Sequence, residues 1–89
     1  MPYELQVERA ARRELERLPQ RAYERLEQAI DSLVAVPRPR GARKVRGTAN
    51  LWRIRVGEYR AVYAVFDREN LVKIVRVMRR TSRTYEGLS

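Results

Sequence analysis

Arginines are the residues of this chain best placed to do chemistry. Arg53, Arg55 and Arg60 flank the pair Gly57-Glu58 within residues 51–66. Trp52, Ile54 and Val56 alternate with Leu51, Arg53 and Arg55, which is the period of two of a β-strand. Gly at the first position of a two-residue loop predicts a type II′ turn, because Gly takes a positive φ there without steric cost. That turn sets Val56 opposite Tyr59, Arg55 opposite Arg60, Ile54 opposite Ala61 and Trp52 opposite Tyr63. Arg55 and Arg60 then face one another, with Arg53 next along the same face. Like charges directly opposite weaken a hairpin, and a bound polyanion would relieve the repulsion. The plainer alternative is two solvated arginines fanning into water. A guanidinium keeps its proton up to about pH 12, so such a cluster clamps negative charge and does not accept protons.

Composition narrows the chemistry. The chain of 89 residues has no His and no Cys, which excludes a two-histidine ribonuclease mechanism, a cysteine nucleophile and a thiolate metal site. Acidic residues do not cluster at ligand spacing, so neither metal nor cofactor is expected. The net charge is +9 and it is unevenly spread. Residues 1–37 carry seven acids and six bases; residues 38–89 carry fourteen bases and four acids. A basic half on a small domain points to nucleic acid or an acidic protein partner. Only Lys44 and Lys73 among the bases are lysines, and arginine forks onto phosphate and stacks on bases better than lysine. The N-terminus lacks a basic-then-apolar signal pattern, and no apolar run reaches the ~20 residues of a membrane span. A soluble cytoplasmic protein without a membrane partner is the expectation.

The elements that must position these arginines follow from periodicity. Residues 3–7 alternate as a short strand. Ala11, Leu15 and Leu18 then recur as a helical stripe, as do Tyr23, Leu26, Ile30 and Leu33 further on. Pro19 either ends the first helix or opens the second as its first residue, and so short a join predicts an antiparallel helical hairpin. Pro37, Pro39 and Gly41 stop the second helix. Residues 42–50, with Arg43, Lys44 and Arg46, read as a basic arm leading into the hairpin. They do not match a phosphate loop, since the glycine spacing is wrong and no Lys follows Gly47. Residues 71–78 are rich in β-branched side chains and form the next strand. A four-residue turn at 67–70 pairs Phe66 with Leu71, Tyr63 with Ile74 and Arg60 with Val77.

The expected architecture is a single α+β domain over residues 1–89, with the helical hairpin on one face of a mostly antiparallel four-stranded sheet. Trp52, Ile54, Tyr63, Ile74, Leu15, Leu26, Ile30 and Leu33 should be core. The other face carries the arginines at one end and Val62, Ala64, Phe66, Leu71 and Val75 at the other. No further helix covers that apolar end, so Val62, Phe66, Leu71 and Val75 read as a partner site; the alternative is that the tail or the basic arm folds over them. Simple alternation along the last strand puts Arg79 on the Arg60 face and Arg80 on the opposite one.

In this order of elements, and in several local runs, the chain resembles the RelE/ParE toxins of bacterial and archaeal toxin–antitoxin pairs. The runs are Val7 to Leu15, Leu18-Pro19, Pro37-Arg38-Pro39, Lys44 to Gly47, Leu51 to Tyr63, and Val75 to Arg80 with Tyr85. The most specific is Arg53-Ile54-Arg55-Val56-Gly57-Glu58-Tyr59-Arg60-Ala61-Val62-Tyr63. The resemblance implies a strand-helix-helix-three-strand fold and one of two activities. RelE members cleave mRNA on the ribosome, and ParE members poison gyrase; a non-catalytic basic binding domain is the other alternative to an RNase. The RNase members have basic residues where this chain has Arg53, Arg55, Arg60 and Arg80, and a late Tyr matching Tyr85. Arg53 and Arg55 replace lysines of the best-known RelE type, and Arg79 stands where many relatives have His. The resemblance thus favours Arg80 where alternation favours Arg79. It implies attack of an RNA 2′-OH on the adjacent phosphate, giving a 2′,3′-cyclic phosphate. In that scheme the arginines clamp charge and Tyr85 is the base, since a cationic setting lowers a phenol's pKa. Arg43, Lys44, Arg46, Arg79 and Arg83 would be further RNA contacts, and a cognate antitoxin the protein partner.

Overall fold

The computed structural model describes residues 2–80. Strand β1 (Glu4–Val7) is followed by helices α1 (Arg9–Glu16) and α2 (Gln20–Ser32). Strands β2 (Arg43–Lys44), β3 (Leu51–Val56), β4 (Tyr59–Phe66) and β5 (Leu71–Arg79) follow. The sheet order is β1-β5-β4-β3-β2. Every pairing is antiparallel except β1 with β5, where Glu4 to Val7 run alongside Leu71 to Ile74. The α+β expectation holds, with five strands among the described residues in place of four. The extra strand is the middle of the basic arm: two charged residues carry no strand signal of their own. They pair because Val45, next to them, is fully buried.

The helices form where their stripes fall. Ala11 and Leu15 of α1 and Leu26 and Ile30 of α2 are buried against the sheet. Pro19 is the N-cap of α2, and its carbonyl accepts the Tyr23 N–H at 2.9 Å. A proline there loses nothing, since an N-terminal N–H has no helical acceptor. The core lies between the helices and one sheet face: Leu33, Ile54, Ala61, Tyr63, Val65, Val72, Ile74 and Val77 join the helical residues, and Trp52 packs half-buried beside them. Each of the larger side chains contributes roughly 1.5–3 kcal/mol by burial.

Two hairpins set the register. Gly57 has φ +60° and Glu58 does not share the left-handed region, which fits a type II′ turn. All four cross-strand pairs expected across β3 and β4 are present. The turn between β4 and β5 closes on Asn70, at φ +51°, with its N–H donating to the Asp67 carbonyl at 3.2 Å. Asn tolerates this conformation better than most residues. Phe66 faces Leu71 and Tyr63 faces Ile74, as expected. Beyond that point the ladder slips by one. Val62 pairs with Arg76, so Val75 is an extra residue in a β-bulge, and Arg60 faces Met78 in place of Val77.

The bulge settles which arginine shares the Arg60 face. Val77 turns into the helix-facing core with Ala61, whereas Met78 joins Val45 and Val62 in a second cluster on the opposite face, with Leu51 beside it. Arg80, two residues past Met78, therefore falls on the Arg60 face, and Arg79 on the Tyr59 face. Simple alternation had it the other way round, because it assumes an unbroken ladder. Val62 is corrected as well. It is fully buried under Val45, Leu51 and Met78, so it is core and not part of an open patch. Phe66, Leu71 and Val75 stay half-buried on that face.

Candidate phosphate-binding site

The β3–β4 turn brings the central arginines together. A two-residue turn closes on a hydrogen-bonded pair, here Val56 with Tyr59. The next pair, Arg55 with Arg60, is then of the non-hydrogen-bonded kind, in which side chains lie closer. A second like-charge pair, Arg43 with Arg53, joins β2 to β3. Arg53 and Arg60 are half-buried and Arg55 is exposed.

These four residues line a cleft of about 530 Å³ between the C-terminal half of α2, the linker after it and the β3 edge. Its remaining walls are Ala29 and Ser32 from α2, Pro39, Arg40 and Gly41 from the linker, and Ile54 and Val56 from β3. Among the described residues its lining contains five arginines and no acid. A second cavity of about 270 Å³ lies beside it, lined by Glu58, Arg60, Arg79 and Arg80. Arg60 belongs to both. The Arg80 N–H extends the ladder by donating to the Glu58 carbonyl at 2.8 Å, and its guanidinium reaches the Gly57 carbonyl at 3.4 Å. Arg79 lies over the Tyr59 ring at 5.8 Å. One strand end thus supplies two arginines with different supports, Arg79 on an aromatic ring and Arg80 on the turn.

The linker wall is anchored by residues that local sequence reading passes over. Arg38 makes a two-pronged bond to Asp67, at 2.8 and 3.2 Å, and lies over the Trp52 ring at 5.2 Å. Tyr3 donates to the same carboxylate at 2.7 Å. The Arg38 bond, and then the Tyr3 bond, hold Asp67 below the usual carboxylate range. Tyr63 donates to the Pro37 carbonyl at 2.7 Å, and burial pushes its phenol up to about 12. A breaker segment carries no period that would announce such ties. They depend on where distant strands deliver Asp67, Trp52 and Tyr63.

The other expected site residues divide. Arg43 lines the large cleft. Lys44 pairs with Trp52, which puts it on the helix-facing side, and Arg46 is exposed beyond the buried Val45. Neither is among the residues lining these two cavities. Arg83 and Tyr85 lie outside the described residues. Arg40, Ser32 and Glu58 went unremarked in the sequence as site residues, because each belongs to a cap, a breaker or a turn when read locally.

A family model for the ParE toxin of type II toxin–antitoxin systems matches residues 5–83. The chain belongs to the RelE/ParE toxin superfamily. Solved structures agree. One chain of the RelBE2 toxin–antitoxin complex from Mycobacterium tuberculosis is 30% identical, with 90% of this chain and 100% of that chain covered and a TM-score of 0.79. The archaeal RelE–RelB complex from Pyrococcus horikoshii gives 30% identity, 91% and 98% coverage and a TM-score of 0.81. The intact RelBE complex of E. coli gives 26% identity, 90% and 99% coverage and a TM-score of 0.78. No curated protein matches in sequence. This RelE/ParE toxin therefore matches a ParE family by sequence model and RelE structures by shape.

Proposed function

We propose that this toxin of a type II toxin–antitoxin system is a ribosome-dependent mRNA endoribonuclease acting in the cytoplasm. The observation that carries the reading is the convergence of Arg53, Arg55, Arg60 and Arg80 on one face, which depends on the bulge at Val75. These four match the basic positions of the RNase members of the superfamily. In the reaction an RNA 2′-oxygen attacks the adjacent phosphorus and loses its proton, and the bond from phosphorus to the 5′-oxygen breaks. The products are a 2′,3′-cyclic phosphate and a 5′-hydroxyl, which takes up a proton. Charge builds on the phosphate oxygens as bonds form, and fixed guanidiniums stabilise that charge more than the ground state. Arg60, shared by both cavities, is the natural clamp on the scissile phosphate, with Arg80 beside the leaving oxygen. Tyr85 is the proposed base.

A cognate antitoxin is the proposed protein partner, by likeness to the RelB-bound neighbours. The second reading is gyrase inhibition, favoured by the ParE description of the matching family model. The two are separated by running ribosome-programmed mRNA cleavage beside a gyrase supercoiling assay. Cleavage with unaffected supercoiling supports the RNase reading; loss of supercoiling without cleavage replaces it.

A further inference from the structure

The large cleft has a feature that its arginines alone do not explain. The Val45 N–H donates to the Leu51 carbonyl at 2.9 Å, so the 45–51 pair is hydrogen-bonded. Antiparallel pairs alternate, so Arg43 with Arg53 is hydrogen-bonded too. The Arg53 N–H and C=O therefore face β2. Those of Arg55, two residues on, face the same way. The β3–β4 register agrees, since it makes Arg55 with Arg60 a non-hydrogen-bonded pair whose backbone groups point away from β4. But β2 begins at Arg43, and Gly41, at φ +93°, has already turned the linker aside. Among the described residues no strand pairs with Arg55 on that side. Its N–H and C=O point to that unpaired edge, and Arg55 lines the cleft together with Ala29, Ile54 and Val56.

We infer that this cleft is a nucleotide subsite. It takes one nucleotide of a single-stranded RNA next to the phosphate clamped by Arg60, with that nucleotide's phosphate on the Arg55 N–H and Arg40. The inference rests on the RNase reading and extends it to residues outside the catalytic set. About 530 Å³ accommodates a base and its sugar phosphate. The apolar wall suits a base, whose exocyclic amine can donate to the Arg55 carbonyl. The shared Arg60 makes the two cavities successive stations for adjacent phosphates. An added peptide strand fits less well. Only one residue of edge is open, too little for a ladder, whereas a phosphate needs only convergent donors.

The test is direct binding of a short single-stranded oligoribonucleotide, methylated at its 2′-oxygens to prevent cleavage and followed by fluorescence anisotropy. Three variants are compared with the wild type. Arg40→Glu reverses one charge in the cleft. Ser32→Trp fills the cleft without changing charge. Arg68→Glu makes the same charge change in the exposed turn between β4 and β5, away from the cleft. Thermal melting confirms that each folds. Arg40→Glu should weaken binding about tenfold, the worth of one charge-assisted contact, Ser32→Trp should weaken it about as much by occupying the space of the nucleotide, and Arg68→Glu by much less. Equal losses for Arg40→Glu and Arg68→Glu would mean general attraction to a basic domain, and the subsite would fall while the RNase reading stood. Failure of Ser32→Trp to weaken binding would also overturn it, as would displacement of the RNA by a polyglutamate peptide at lower concentration than by unlabelled RNA. No binding by the wild type removes the subsite as well; the ribosomal cleavage assay then decides the RNase reading separately.

Discussion

At the scale of single residues, the molecule holds like charges in register. The cross-strand repulsion between Arg55 and Arg60, taken by itself, opposes folding by about a few tenths of a kcal/mol. Arg60→Ala should abolish ribosomal mRNA cleavage in a domain that thermal melting shows to be still folded. A variant that still cleaves at the wild-type rate removes Arg60 from the mechanism. The tail arginines separate in the same assay. Arg80 shares the Arg60 face and Arg79 is spread on Tyr59, so Arg80→Ala should lower the cleavage rate far more than Arg79→Ala. The reverse order would mean that the strand end rearranges on the ribosome. The hairpin arginines were legible in the sequence because one glycine fixes a turn and a turn fixes a register. Arg40 was not, since its approach to β3 depends on the path of a linker that has no period. Arg38 was hidden for the same reason, its partner lying in a turn far along the chain.

At the scale of elements, the bulge in β5 decides the site, and no residue type announces it. Val75 is one β-branched residue in a run of them, so an uninterrupted strand was the natural reading. What holds the bulge is tertiary. Because β1 ends opposite Ile74, no strand among the described residues pairs with the outer edge of β5 beyond that point. Glu14 of α1 fills the gap: one carboxylate oxygen accepts the Val77 N–H at 2.7 Å, and the other accepts Arg76 at 2.8 and 2.9 Å. Glu14→Ala should cost about 1–2 kcal/mol, since it leaves a half-buried N–H and a guanidinium without their acceptor. It should also lower cleavage without touching RNA, by loosening the strand that carries Arg80. Unchanged cleavage in a destabilised Glu14→Ala would show that the bulge persists without its carboxylate. The linker is held by a titratable tie. Asp67 has its pKa depressed below 3.8 in the folded chain, chiefly by Arg38. Its contribution is therefore present above that value and lost as pH falls through the lower, folded-state pKa. Asp67→Asn should melt slightly earlier than the wild type at neutral pH, and the two curves should converge in strong acid. A difference that persisted there would assign the effect to something other than the ion pair.

At the scale of the whole molecule, the two sheet faces do different things. One is sealed by the helices, and the strand and helix periods alone predicted that. The other is divided. Its middle is closed by Val45, Leu51, Val62 and Met78, its turn end is arginine, and its far end keeps Phe66, Leu71 and Val75 half-buried, with Lys73 over the Phe66 ring at 5.9 Å. The closed middle was the part hidden from sequence reading, because Val45 sits in a charged arm and looks like an isolated apolar residue. For a domain of net charge +9, an antitoxin segment that is acidic and amphipathic would complement both ends, its carboxylates meeting the arginines and its apolar side meeting Phe66 and Leu71. The double change Phe66→Ser with Leu71→Ser tests this. Both side chains are only partly covered, so the isolated toxin should stay folded with a modest loss of melting temperature. Antitoxin affinity should drop by about tenfold or more, as when apolar anchors leave an interface. Raising the salt concentration should weaken what binding remains, because the arginine contacts are then all that holds the partner. Unchanged affinity in a folded double variant would move the antitoxin off this end of the sheet, and unfolding of the isolated domain would make Phe66 and Leu71 part of the core.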